Sequence, residues 1–336
     1  MVILKHRDEL TSLTELAQRY IASSIAPSTK QQYDRDFHKY RRFCNKYQLQ
    51  LFPLNQESLI LFATKLAQKI SHQNISSKLS AIKYHSQLHG YDTDFSTFHR
   101  LYRLVRGIKR IQANKFSKPK RLPITPPLLH VLHYNLWTSP MLYVDKLMIW
   151  AAMLTAFFGF LRISEYTSSH VKSYDPASTL CHSDVTVRQS AVDIYLKASK
   201  NDPFKTGSTV RLMRNFSLLC PVGALVTYLS STNIRHGPLF TFQDGRFLTR
   251  RTFTTILNQA KPPNITNIST HSFRIGAATT AAAAGHPRWL IQAMGRWSSD
   301  CYKVYLRVTD HTRFSMSTSM ASTTNVGATY DPDHFS

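Results

Sequence analysis

Acidic residues are scarce in this chain of 336 residues. Asp and Glu number 19 against 42 Lys and Arg, a formal net charge of +23. Charged residues are only 18% of the chain, so the imbalance reflects missing acids as much as abundant bases. Two-metal nuclease chemistry needs clustered carboxylates, and this composition argues against it. Cysteine is thin too. Cys44, Cys181, Cys220 and Cys301 include no CxxC pair. That spacing supports neither a zinc ribbon nor a secreted disulfide framework, and the thiols are expected free, in a reducing compartment. No apolar run is long enough to span a bilayer: the longest, 147–161, is interrupted by Thr155 and Gly159 and reads as a buried helix. The first seven residues, Met1 to Arg7, lack a signal-peptide h-region.

What is present is enough for packed cores. Apolar residues make up 43% of the chain, and the length predicts about two domains. The basic surplus, with a sequence pI near 10.0, points to a polyanionic partner, most simply nucleic acid.

The first third is helical in pattern. Tyr33, Phe37, Tyr40, Cys44 and Tyr47 form one stripe, with Ser28 or Thr29 as the expected cap behind Pro27. Leu59, Phe62, Ala63, Leu66 and Ile70 repeat the pattern after a capping Asn55. Ile75, Leu79 and Ile82 mark a further helix that Gly90 ends at the latest. A helix over 95–111 turns Leu101, Val105 and Ile108 inward and Arg100, Arg103, Arg106 and Arg110 outward. A lone basic stripe is ordinarily a solvated face. With no acid interposed, an anionic partner is the better reading.

A basic, proline-rich linker is expected over 114–127, where Lys115, Lys118, Lys120 and Arg121 mix with Pro119, Pro123, Pro126 and Pro127. It divides a helical domain, 1–113, from a second domain, 128–310. Residues 311–336 are rich in Ser and Thr, without periodicity, and are expected to be mobile.

The second domain is mainly helical with one small β region near 184–214. There Val185 and Val187, then Val192, Ile194 and Leu196, then Val210 and Leu212 alternate with polar neighbours. Lys200 sits in the turn-rich loop before the last of these strands. Pro221 opens a helix, a short strand is expected at 239–242, and helices come after Thr249, over 272–284 and from Pro287 to Gly295. A last helix, capped by Ser298 or Ser299, runs through Arg307.

Four places could carry chemistry. His271-Ser272-Phe273-Arg274 puts imidazole and guanidinium on one helical face. Composition alone yields about two such pairs, so the motif is cheap by itself. In Gly159-Phe160-Leu161-Arg162-Ile163-Ser164-Glu165 an arginine directly ends the buried helix. It is either a salt-bridge partner of Glu165 or a rigid, bidentate phosphate ligand. Lys200 on a β-turn is ordinarily just solvated. Gly295-Arg296-Trp297 lies between a helix stop and a helix start, with Tyr302 and Tyr305 beyond.

Taken in order, Arg162, Lys200, His271, Arg274, Trp297 and Tyr305 in a basic two-domain chain resemble the tyrosine recombinase (phage integrase) family. Residues 159–165 resemble its first-arginine motif, 271–274 its HxxR motif, and 295–307 its closing segment with the nucleophile. The helical first domain resembles, less specifically, the family's core-binding (SAM-like) domain. Ser199-Lys200-Asn201-Asp202-Pro203-Phe204 and His271-Ser272-Phe273-Arg274-Ile275-Gly276-Ala277-Ala278 look most like eukaryotic mobile-element recombinases of the Crypton and DIRS-like kind. Trp297 stands where most members have histidine, and some have tryptophan. The gap from Trp297 to Tyr305 is one residue shorter than in many members, which keeps Tyr302 as an alternative. Leu306-Arg307 resembles the pair just after the nucleophile in the family and selects Tyr305.

The resemblance implies a helical core-binding domain joined to an α+β catalytic domain. It implies a site-specific recombinase that cuts and rejoins DNA through a covalent 3′-phosphotyrosine without metal, ATP or cofactor. Arg162, His271, Arg274 and Trp297 would hold the phosphate, Lys200 would protonate the leaving oxygen, Tyr305 would attack, and Glu165 would orient Arg162 or His271. Double-stranded DNA is the implied partner, with a homotetramer on two duplexes. Phosphate or base contacts in the first domain are expected from Ser28, Thr29, Lys30, Lys78, Lys83, Arg103, Arg106, Lys109 and Arg110, and from Lys118, Lys120 and Arg121 in the linker. A eukaryotic element implies a nuclear location, and a prokaryotic one the cytoplasm. The competing functions are a domesticated DNA-binding protein of the same fold and strand relaxation of the type IB topoisomerase kind.

Overall fold

A computed structural model of the chain describes residues 2–113, 116, 121–199, 202, 204, 206–299, 303 and 310–322. The chain forms two compact units, 1–119 and 120–336.

The first unit is helical: α1 (Val2–Ala22), α2 (Pro27–Tyr47), α3 (Gln56–Ala67), α4 (His72–Leu88), a 3-10 turn (Phe95–Thr97) and α5 (His99–Ile111). Its core is the intersection of four apolar stripes. Phe37, Tyr40 and Cys44 from α2 meet Leu59, Phe62 and Ala63 from α3, Ile75, Leu79 and Ile82 from α4, and Leu101 and Ile108 from α5. Two caps differ in kind. Asn55 caps α3 as expected, its side chain accepting from the Glu57 N–H at 2.7 Å. Helix α2 instead starts from Ala26 without a side-chain cap, and Pro27 fills its first position. Proline's missing N–H is harmless there, so Ser28 and Thr29 lie inside the first turn rather than at its cap. Buried Gln112 closes the unit. Its side chain accepts from the His72 N–H at 2.8 Å and donates to the Ala67 and Ile70 carbonyls at 2.8 and 3.0 Å, which ties the end of α5 to the α3–α4 turn.

The second unit contains α6 (Pro126–Trp137), α7 (Tyr143–Phe158), α8 (Ile163–Tyr166), β1 (Val185–Val187), β2 (Ala191–Leu196) and β3 (Ser208–Met213). It continues with α9 (Pro221–Ser231), α10 (Arg250–Ala260), α11 (His271–Ala283), α12 (Arg288–Gly295) and α13 (Asp310–Ser322). Helix α7 is its axis, buried on every side from Leu147 to Phe157, with α6, α9 and α11 packed around it. The strands form an antiparallel sheet in the order β1-β2-β3, with Ile194 paired to Val185 on one side and to Val210 on the other. Their alternation is the one read from the sequence.

Three stretches of the second unit also differ from expectation. The end of the proline-rich stretch is not a free linker. Leu122 N–H donates to the Asn267 carbonyl at 2.8 Å and Ile124 N–H to the Ser272 carbonyl at 3.0 Å, and Ile124 is fully buried. Pro123 falls between the two donors, where its missing N–H costs nothing. Pro126 opens α6, whose cap residue is Thr125. The prolines here suit an extended docked segment and a helix start. Residues 239–242 form no strand; isolated bridges pair Cys181 with Pro238 and Thr241 with Phe247. Within the stretch expected to be a mobile tail, residues 310–322 are helical, with Phe314, Met316 and Met320 exposed.

Candidate active site

The site is built on two helix ends. Helix α7 closes at Gly159 with Leu161 N–H bonded to the Ala156 carbonyl at 3.0 Å, and Phe160 takes the left-handed conformation at φ 50°. Helix α12 closes in the same way: Trp297 N–H bonds to the Gln292 carbonyl at 3.1 Å and Arg296 has φ 52°. Glycine normally fills such a position. Two larger residues accept the strain of about 1–2 kcal/mol each, and both turn their neighbours toward one place. Gly295 is required for a different reason: a Cβ there would lie 1.8 Å from the Trp297 ring.

Arg274, on the first turn of α11, spans both helix ends. Its two terminal nitrogens donate to the Phe160 and Gly295 carbonyls. The side chain is 1% exposed, with its guanidinium carbon 4.3 Å from the centre of the Trp297 ring. That face-on contact suits a desolvated cation. A guanidinium has five N–H donors, and each of these carbonyls takes one. Trp297 is itself buried and meets Phe160 edge-on at 6.2 Å.

Arg162 caps α8 and pairs with Glu165. The Glu165 carboxylate accepts from the Arg162 backbone N–H and from Arg162 Nη1, each at 2.9 Å. It also accepts from Arg296 Nη2 at 2.9 Å, and its side chain is only 1% exposed. Both arginine side chains retain 17% exposure. The salt-bridge and site readings of Arg162 are therefore not exclusive: the carboxylate holds the arginine in place at the edge of the site.

His271 starts α11, one turn before Arg274. Its pKa is pushed down to about 4, by burial first and then by the cations Arg121, Arg274 and Arg162, so the imidazole is neutral at physiological pH. Arg121 reaches this neighbourhood because the adjoining Leu122 and Ile124 are pinned along 267–272. In the sequence Arg121 reads as part of a linker; the structure puts it beside His271.

The structure thus gathers Arg162, Glu165, His271, Arg274 and Trp297 in one place, with Arg121 and Arg296 beside them. Arg296 was missed by sequence reasoning. The available signal was indirect: a chain with so few acids has a buried glutamate here, and a buried carboxylate calls for more than one cation. Lys200, Tyr302 and Tyr305 lie outside the described residues, as do Lys118 and Lys120. The Asp202 carboxylate accepts from the Thr206 N–H at 3.0 Å and the Gly207 N–H at 2.8 Å. Lys197, just after β2, is committed to Asp184 at 2.7 Å.

In the first unit, Arg103, Arg106, Lys109 and Arg110 are carried along α5, and Arg103, Arg106, Gly107 and Arg110 line a shallow hollow of about 260 Å³. Arg100 is taken by Glu57. Ser28 and Lys30 are exposed and Thr29 half-buried on the first turn of α2, with Lys30 3.3 Å from Asp34. Lys78 is corrected. It was expected to be an exposed contact, but its side chain is 13% exposed and bound to buried Asp36. Asp36 also accepts from Gln32 and Lys39, and these partners together hold its pKa below the usual carboxylate value against the opposing effect of burial. Lys83 is half-buried, with its ammonium 5.8 Å from the centre of the Phe95 ring. A charge facing inward on α4 has no separate signature in the helical pattern, which is why both lysines read as surface groups.

Solved structures share this architecture. A lambda integrase dimer bound to a COC′ core site matches at TM-score 0.56 and 14% identity, over 88% of this chain and 95% of that one. The Tn1549 transposon integrase in complex with a circular intermediate DNA matches at TM-score 0.57 and 13% identity, again over 88% and 95%. The XerH site-specific recombinase bound to its palindromic difH substrate matches at TM-score 0.51 and 15% identity, over 86% and 77%. The fold is that of the tyrosine recombinases. No protein-family model matches the chain, and neither does any curated protein sequence. Among the described residues, no helix is long and apolar enough to cross a membrane, and no group of three His, Cys, Asp or Glu side chains could hold a metal ion.

Proposed function

We propose that this protein cuts and rejoins double-stranded DNA at specific sites through a covalent 3′-phosphotyrosyl intermediate. The observation that carries the reading is the convergence of Arg162, His271, Arg274 and Trp297 from distant segments within a tyrosine-recombinase fold. Cleaving a phosphodiester builds negative charge on the non-bridging oxygens, and fixed guanidinium groups are preorganised donors for that charge. Lysine could not supply the same fork. Trp297 supports Arg274 from beneath and contributes its indole N–H to the phosphate.

In the proposed step the Tyr305 phenolic oxygen bonds to phosphorus and the P–O5′ bond breaks. His271, kept neutral by burial and the surrounding cations, positions the phosphate and assists transfer of the phenolic proton to solvent. Lys200 gives a proton to the departing 5′-oxygen. Lys197, three residues earlier, is committed to Asp184. A phosphodiester is exchanged for a phosphotyrosyl ester, so an incoming 5′-hydroxyl reverses the attack and rejoins DNA without metal or ATP. Exchange between two duplexes needs a nucleophile for each strand, hence a homotetramer. The arginines of α5 hold the DNA backbone. The likeness to Crypton and DIRS-like elements, and the nuclear site of action it implies, rest on the 199–204 and 271–278 motifs alone.

A substrate nicked beside the cleavage site traps the intermediate. Tyr305→Phe is expected to abolish the trapped adduct while Tyr302→Phe retains it; the reverse result would reassign the nucleophile. No adduct with any substrate would favour a DNA-binding protein that has lost catalysis. An adduct with supercoil relaxation but no exchange between duplexes would favour the topoisomerase reading.

A further inference from the structure

We propose that Arg296 is a positioning residue for strand cleavage: through Glu165 it restores positive charge to the Arg162 corner, and through the Gly159 carbonyl it ties the end of α12 to the end of α7. The inference rests on the reading of the site as a phosphate-cleaving centre and deepens it.

Charge is the first ground. Glu165 is buried and bonded to Arg162 through both a side-chain and a backbone donor. An isolated Arg162–Glu165 pair is neutral, and such a pair would present little net field to a phosphate. Arg296 bonds to the same carboxylate at 2.9 Å, so the three side chains together carry one net positive charge. Arg162 then remains a cation as seen by an anion in the site, while the carboxylate still fixes its geometry.

Geometry is the second. Arg296 Nη1 donates to the Gly159 carbonyl at 3.1 Å, on the end of α7, while its own backbone forms the left-handed end of α12. Arg274 bridges the same two ends through Phe160 and Gly295. The two arginines are thus a pair of staples across one seam. Trp297 comes directly after Arg296, and the chain then runs on to Tyr305. A shift at this seam would displace Arg274 and Trp297 together.

Backbone economy is the third. Position 296 lies where glycine costs least, yet the residue is an arginine whose side chain is mostly buried and bonded internally. The strained backbone is tolerated with a side chain that makes three separate ties.

This strain supplies a clean test. Arg296→Gly removes the guanidinium while easing the left-handed turn. The wild type, Arg296→Gly, Glu165→Gln and the double variant are compared for DNA affinity, thermal midpoint and single-turnover adduct formation on saturating nicked DNA. The expected result is a cleavage rate lowered about 10- to 100-fold in Arg296→Gly, with DNA affinity within about twofold of wild type, because the side chain's donors point inward. Adding Glu165→Gln to Arg296→Gly is expected to cost far less than Glu165→Gln alone, since both act through one network. A purely structural role would move midpoint, affinity and cleavage together. Wild-type cleavage by Arg296→Gly overturns the proposal. If that variant does not melt cooperatively, Arg296→Lys is read in its place: it keeps the charge but offers one ammonium for a fork of acceptors. Slowed cleavage by a normally melting Arg296→Lys supports the proposal and a wild-type rate overturns it. Arg274→Ala separates the levels. If it too cleaves normally, the reading of the site fails; if it alone is inactive, only the role of Arg296 fails.

Discussion

At the scale of single residues, His271 gives the sharpest test of the site's electrostatics. In an unfolded chain histidine titrates near 6.5; in the folded protein His271 does so at about 4. Between those values the unfolded chain binds more protons. The stability His271 contributes is therefore complete above about pH 6.5 and is lost as pH falls toward 4. His85, His133 and His182 are also drawn down, mainly by burial, so the acid limb is shared. Comparing wild type with His271→Asn isolates one group, because the others cancel. Denaturant midpoints measured from pH 7 to pH 4.5 are expected to fall less steeply in the variant. Identical slopes would contradict a buried, neutral imidazole among cations. Arg162, His271, Arg274 and Trp297 were expected from the order of the motifs and the resemblance it carries, since each motif alone is common. Arg296 was not, since its role depends on a carboxylate 131 positions away.

At the scale of elements, the helices and the three-stranded sheet were readable because apolar periodicity determines what must be buried. The docking of 122–124 was not, because hydrogen bonds from an extended segment to a loop leave no period. Gly276 records that contact. A Cβ there would lie 1.8 Å from the Ile124 carbonyl oxygen, a backbone atom that cannot swing aside. Gly276→Ala is expected to destabilise the second unit by about 1–3 kcal/mol and to slow cleavage, since Arg121 and the start of α11 shift together. Thermal denaturation and single-turnover cleavage check both, and a neutral substitution would refute the docking. In the first unit, Lys78→Ala leaves buried Asp36 short of its closest cation. The expected loss is roughly 1–3 kcal/mol of stability, with DNA affinity of the folded variant changed far less than by Arg106→Ala. The reverse ranking would restore Lys78 as a DNA contact.

At the scale of the whole molecule, the net charge of +23 makes binding an electrostatic event. Affinity for duplex DNA is expected to fall steeply with salt, log K against log salt being linear. Arg106→Ala and Arg110→Ala should each reduce that slope by about one, uniformly across DNA sequences. An unchanged slope would remove α5 from the interface. The expectation of a nucleic-acid partner came from composition, and that of the catalytic class from the resemblance carried by the order of the motifs. The meeting of those motifs at two left-handed helix ends needed the fold.

The chemistry of the covalent link decides the mechanism most directly. Purified protein incubated in EDTA with a nicked duplex, then digested and analysed by mass spectrometry, should yield one peptide carrying a 3′-phosphorylated nucleotide on Tyr305. A link to any other residue, attachment through a 5′-phosphate, or a link that forms only when metal is restored would contradict it.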